Sequence, residues 1–422
     1  MAGGEVAFPS RRLVLLYLST AHASLALAFA LVGRDPLGVA GFLYHSRMVA
    51  IVHLVTIGWI AMSILGNVYV VLPMAFGRPL PARRGDYAAY ALVVIGLTGM
   101  FAHFWLAEFS GMAWSAATAA AGIAHVTVRV VVNVRAARVP GGVKMHLYLA
   151  SANILLAVTA GVLLGFDKVY HFLPGYVLAN VFAHAHLAAV GWVCMTVIGL
   201  AYRLLPMLIP AAAPMGRGLY VSAILLQMGV VGLFASLVLQ SARSPLFALI
   251  IVAAFAAAGV NVVWMLRRRR NPPPGRNENH FAIAHVATAA VWLMCACVVG
   301  VGLTIAPVTE TTLRVALLYG VFGLVGFLAQ VIVGFELYVL PTAATYWAIQ
   351  HSGNAMMAPS PPSEWRRSAV YLAWLTGVPA IGAGLFFTAP IVLAAGAWLL
   401  FGAVVVAAFD LMMVVGRSRV KF

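Results

Sequence analysis

The sequence predicts an all-α polytopic membrane protein, with twelve transmembrane helices in three pseudo-symmetric four-helix arcs, and three observations carry that expectation. The first is composition: of 422 residues, 64% are apolar and only 9% charged, where a soluble domain carries about 25% charged residues. Twelve apolar runs of about 22 residues would absorb nearly all of that apolar content. Soluble enzymes and secreted disulfide scaffolds are excluded, and so are nucleic-acid binders, although a net charge of +16 would suit one. The second observation is where the basic residues fall, and the third is an internal repeat.

Apolar runs lie near 12–33, 48–73, 87–107, 113–134, 146–166, 175–205, 218–241, 245–266, 281–305, 312–340, 368–389 and 390–415. The first follows Arg11 and Arg12 and is too long for the apolar region of a signal peptide, so it reads as an uncleaved span. Arg267 to Arg270, followed by Asn271-Pro272-Pro273-Pro274-Gly275, reads as a stop signal and a stiff linker between the eighth and ninth runs. The eleventh and twelfth runs abut at 389/390 with no loop of their own. With the N-terminus in the cytoplasm, 21 of the Lys and Arg residues collect on one side, Arg276, Arg366, Arg367, Arg417, Arg419 and Lys421 among them. The other side receives five: Arg34, Arg47, Lys168, Arg243 and Arg314. Positive charge marks the cytoplasmic ends of helices, so the expected location is the bacterial inner (cytoplasmic) membrane with both termini cytoplasmic. Cys194, Cys295 and Cys297 lie inside runs, without the spacing of a zinc or redox site.

The repeat begins at a histidine. His53, Gly58, Trp59, Gly66, Tyr69 and Pro73 recur at the same offsets as His186, Gly191, Trp192, Gly199, Tyr202 and Pro206. A degenerate third copy keeps Gly326, Phe327, Gly334 and Pro341, slips Tyr338 by one, and has Val321 in place of the histidine. The chain therefore reads as one transmembrane bundle, 1–422, of three repeat units at about 12–134, 146–266 and 281–415. The glycines suit close helix packing, and the proline ending each copy reads as a helix stop.

Histidines stand out against this apolar background, because a titratable ring in hydrocarbon is costly and marks a cofactor, an ion path or a proton relay. By depth, His53, His103, His184 and His186 gather in the outer half, near Glu108 and Trp105. His22 and His125 fall at mid-membrane without an evident partner, and His146, His280 and His285 toward the inner side. At about 100° per residue, the rings of His184 and His186 point some 200° apart, so they serve two neighbouring sites rather than one metal. Imidazole suits haem iron and copper, and Gly58, Gly66, Gly191 and Gly199 offer small residues against which a haem could lie. Glu336 and Asp410, within spans near the inner side, read as snorkelling or Arg-paired carboxylates, with a proton path as the other reading.

The run from His184-Ala185-His186 through Gly191-Trp192 and Gly199 to Tyr202-Arg203-Leu204-Leu205-Pro206 resembles the two-histidine helix of the catalytic subunit of haem–copper oxidases, particularly the cbb3-type oxidase and nitric oxide reductase branch. The resemblance implies twelve helices in three arcs, with His184 serving one haem site and His186 another, and His53 as a further ligand. Two departures stand against it. The family carries its pair on the tenth helix rather than the sixth, and its copper-binding histidines on the seventh are absent from Leu219 to Leu239. Three arrangements stay open: one haem b held by His53 and His186, a haem on His184 facing a metal such as copper on His53 and His103, and no cofactor. There is a looser likeness to the haem- and copper-containing membrane proteins of the bacterial nitric-oxide stress response.

The expected function is that of a membrane haem-binding oxidoreductase-like protein with one haem b, or two, engaged in electron transfer or in nitric oxide or oxygen chemistry. Its expected partners are membrane lipid, an outer-face donor (cytochrome, cupredoxin or quinol) and respiratory complex subunits, with no nucleic acid. A proton- or metal-coupled transporter and a cofactor-poor accessory subunit of a respiratory complex are the competing readings. No catalytic residue is assigned.

Overall fold

In hydrocarbon, water is not available to backbone N–H and C=O groups, so an apolar chain must satisfy them internally. The computed structural model, which describes residues 9–271, 279–352 and 363–417, meets this with helices and, among the described residues, no strand. Twelve are long and apolar enough to cross a membrane: α1 Arg11–Arg34, α2 Ser46–Phe76, α3 Arg84–Leu106, α4 Met112–Ala136, α5 Gly141–Tyr170, α6 Val177–Leu208, α7 Gly218–Val238, α8 Ser244–Leu266, α9 His280–Ile305, α10 Glu310–Gln350, α11 Glu364–Phe386 and α12 Pro390–Gly416. The chain is an integral membrane protein. The Pro272 to Gly275 linker, Arg276, Arg419 and Lys421 lie outside the described residues. The connection that looked missing at 389/390 is a tight turn in which Thr388 takes φ +51° and Pro390 opens α12.

Chain neighbours pack side by side, and α12 returns to α1. Three antiparallel hairpins, α3/α4, α7/α8 and α11/α12, pack tightly, and each has a glycine at a close approach. A Cβ on Gly96 would strike the backbone of Ser115 and Ala119, one on Gly229 would lie 2.9 Å from Ile251 N, and one on Gly384 2.6 Å from Leu393 N. Without a hydrophobic driving force between helices, such backbone approach is what gives dispersion its reach.

Inside this ring stand α2, α6 and α10, packed on α1, α5 and α9 respectively, with α10 also touching α2 and α6. Here the repeat's glycines find their use. Gly58 faces Ser24 and Gly66 faces Tyr17 on α1; Gly191 faces Asn153 and Gly199 faces His146 on α5; Gly326 faces Trp292 and Gly334 faces His285 on α9. They seat one helix on another, so these glycines are occupied by packing and do not form a wall for a haem.

Each of the three helices also carries a π-helical stretch at the same place: Leu54–Ala61, Leu187–Cys194 and Val321–Ala329. π-Helix is rare and concentrates at functional sites. The third copy's π stretch has nine residues where the others have eight. Counted from the π starts, Gly320 rather than Val321 takes the histidine's place, with Tyr319 beside it.

The repeat prolines do not stop their helices as expected, for Pro73, Pro206 and Pro341 all lie inside them. A proline frees the carbonyl four residues before it. For Pro341 that is Leu337 O, which accepts from Asn279 Nδ2 at 2.7 Å and from Arg367 at 3.5 Å. With the carbonyl satisfied, α10 runs on to Gln350.

Replacing Gly96 by Val should destabilise the α3/α4 hairpin by about 1–3 kcal/mol through overpacking, read as a lower melting temperature of purified protein in detergent. Gly259→Ala on α8, where nothing lies within 4 Å of the added methyl, should leave it unchanged or raise it.

Candidate functional site at the histidine end of α2 and α6

His53 and His186 each end the α-helical turn that precedes a π stretch. In both, Nδ1 bonds the carbonyl four residues back: His53 to Val49 O and His186 to Phe182 O, each at 2.8 Å. His184 departs from this pattern and reaches across to α5, where its Nδ1 bonds Ala157 O at 3.0 Å and its ring lies against Gly161. A carbonyl only accepts, so Nδ1 carries the proton in all three neutral rings and Nε2 presents a lone pair. This is the arrangement in which protein histidines bind metals, with the second nitrogen fixed by a backbone acceptor.

What each Nε2 meets separates the three. His186 turns toward α10, where Tyr319 donates its hydroxyl to Nε2 at 3.0 Å and stacks on the ring with centroids 5.9 Å apart. His53 stacks on Phe104 of α3 at 5.1 Å. No hydrogen bond reaches the Nε2 of His53 or of His184 among the described residues. These two rings stand close enough that a charge on one would be felt by the other. The two histidines of α6 therefore leave the helix in different directions, and it is His184 rather than His186 whose charge His53 would feel.

His103 is not brought into this group. Its Nδ1 donates to Glu108 O at 2.7 Å, and the ring covers Gly111 in the α3–α4 turn. The Glu108 carboxylate there accepts the Ser110 N–H at 2.9 Å, which holds its carboxyl below the ordinary value. Close to this turn Lys168 lies over the rings of Tyr44 and Phe109. Tyr44 sits in the α1–α2 connection, where burial first and the Asp167 charge second push its phenol up to about 12. Among the described residues, no three His, Cys, Asp or Glu side chains are grouped as a metal-ion site.

Sequence reasoning missed four participants. Tyr319 was hidden by the third copy's shifted register. Asn153 of α5 donates to Gly191 O inside the second π stretch at 2.7 Å and exchanges hydrogen bonds with Gln227 of α7 at 2.8 and 3.1 Å; a mid-span Asn in an apolar run was the available signal. His125 has a partner after all, Asp86 at 3.0 Å, and the fully buried Asp86 also lies 3.3 Å from Arg129. His22 meets Glu336, at 3.5 Å, and no Arg pairs with Glu336 among the described residues, whereas Asp410 pairs with Arg366 at 2.7 Å.

Fold and site together define an all-helical polytopic membrane protein with a histidine cluster at one end of its inner helices. In comparisons with protein-family models and with curated proteins, the sequence matches none.

Asn153→Leu should cost about 1–3 kcal/mol, because it leaves Gly191 O and the Gln227 amide unpaired in an apolar interior. A melting curve in detergent measures the loss, and Asn153→Leu combined with Gln227→Leu should recover part of it.

Proposed function

We propose that the protein is a haem-binding membrane oxidoreductase-like protein, akin to the haem–copper oxidase superfamily, in which one haem b lies between α2 and α6 with His53 and His184 as its ligands. The observation that carries this reading is the pair of neutral imidazoles on facing helices, each with Nδ1 fixed on a backbone carbonyl and Nε2 without a hydrogen bond. The donor set suits haem iron. A copper on His53 and His103 has less behind it, because the His103 ring packs over Gly111 in the Glu108 turn and no contact joins it to His53 among the described residues. His186, whose Nε2 accepts the Tyr319 hydroxyl, is then a neighbour of the haem edge.

Haem held by His53 and His184 would supply a one-electron couple. The protein's part would be to hold the two imidazole rings in one orientation, through Val49 O and Ala157 O, and to keep water away with Phe104 and the apolar walls of α2 and α6. The 21 to five division of basic residues supports placing the histidine end outside, with both termini in the cytoplasm of a bacterial inner membrane. There an outer-face cytochrome, cupredoxin or quinol would be the electron donor. The recurrence of glycines, prolines and π stretches in α2, α6 and α10 supports three four-helix arcs.

Protein purified from cells supplied with haem precursor should carry one haem b per chain, seen as a Soret band and a reduced-minus-oxidised spectrum. His53→Ala and His184→Ala should each lose it, while His103→Ala keeps it. Carbon monoxide should leave the reduced spectrum unchanged, since two imidazoles would already hold the iron. Wild-type protein without haem, or a His53/His184 double variant that retains it, would sink the reading.

A further inference from the structure

Midway along the inner helices lies a second polar cluster, which haem binding does not use. Glu336 of α10 is 2% exposed, and Oε2 of its carboxyl sits 3.5 Å from Nε2 of His22 on α1, itself 8% exposed. His22 Nδ1 bonds Leu18 O at 2.9 Å. A carbonyl only accepts, so Nδ1 carries hydrogen, and the Nε2 of the neutral ring is a lone pair. A carboxylate oxygen is likewise only an acceptor. Two acceptors facing each other in a dry interior repel, and each forfeits a hydrogen bond. One proton between them removes the conflict.

The surroundings are built for such a proton. Glu336 Oε1 has no hydrogen-bond partner, nor has Trp59 Nε1, whose ring meets His22 edge to face at 5.0 Å, and Ser63 and Asn67 of α2 turn their side chains toward the same carboxyl. Unpaired polar atoms at one place in a buried core call for an occupant. A cavity of about 10 Å³ opens among His22, Trp59, Glu336 and Trp374, at the lower limit for one water molecule. Closing it, α11 contributes Trp374, and α12 contributes Val404, Ala407 and Leu411, all uncharged. His22 and Glu336 are thus the titratable groups that face the cavity from the elements packed around it.

We propose that His22 and Glu336 form a buried proton-binding site that holds one proton between Oε2 and Nε2 and exchanges it through a water seated in this cavity against His22, Trp59 and Glu336. Transfer within the pair breaks one O–H bond and forms one N–H bond, turning a neutral acid and a neutral imidazole into carboxylate and imidazolium without changing the net charge. The neutral form is the resting one, because separated charges cost more in a low-dielectric interior. The site stands whether or not the protein binds haem.

Infrared spectroscopy of the full chain in lipid nanodiscs at neutral pH tests this. The expected result is a carboxylic-acid C=O band equivalent to one group per chain, shifted in deuterium oxide and lost in Glu336→Gln, a near-isosteric change that keeps the helices. In His22→Phe the band should persist but move to higher frequency, since its acceptor is gone. Absence of the band in the wild type, or a band that survives Glu336→Gln, would overturn the proposal.

Discussion

Everything in this molecule follows from the cost of an unsatisfied backbone group in hydrocarbon. It makes the chain helical, and it decides what happens wherever a helix departs from regular α geometry. Pro341 frees Leu337 O, and Asn279 and Arg367 take it up. A π stretch widens the turn around Gly191, and Asn153 holds that carbonyl while pairing with Gln227. The few polar side chains of an apolar sequence stand where the backbone needs them.

The histidines obey the same rule and gain chemistry from it. His22, His53, His146 and His186 each give Nδ1 to the carbonyl one turn back. That single bond satisfies the donor, fixes the tautomer and leaves Nε2 as the reactive atom, and what differs is what each Nε2 faces. Tyr319 meets His186, Glu336 meets His22, and Ser222 meets His146 at 3.2 Å. For His53 and His184 no protein donor arrives among the described residues. An imidazole so prepared and left open distinguishes a ligand site from a satisfied core histidine.

Fold class was legible because it rests on a bulk quantity, apolar runs of membrane length. The repeat was legible because Gly58, Gly191 and Gly326 mark contacts with the neighbouring helix, and such contacts tolerate little else. What sequence could not supply was rotation about the helix axes. A uniform 3.6-residue turn cannot be carried through an eight- or nine-residue π stretch, so Val321 stood in the place that belongs to Gly320 and Tyr319 was passed over. Depth alone gathered His103 with His53, yet its ring is held by a turn that begins five residues later, at Glu108. Partners far apart in sequence, such as His22 with Glu336, left no local trace.

The open Nε2 atoms of His53 and His184 are the centre of the functional reading, and electron paramagnetic resonance of the oxidised, purified protein addresses them most directly. Two axial imidazoles predict a low-spin ferric haem signal, stoichiometric with the chain and unchanged by added cyanide or nitric oxide ligands at short times. A high-spin signal would mean that one ring leaves the iron open, and the absence of any ferric haem signal from protein made with ample haem would contradict a haem at this site.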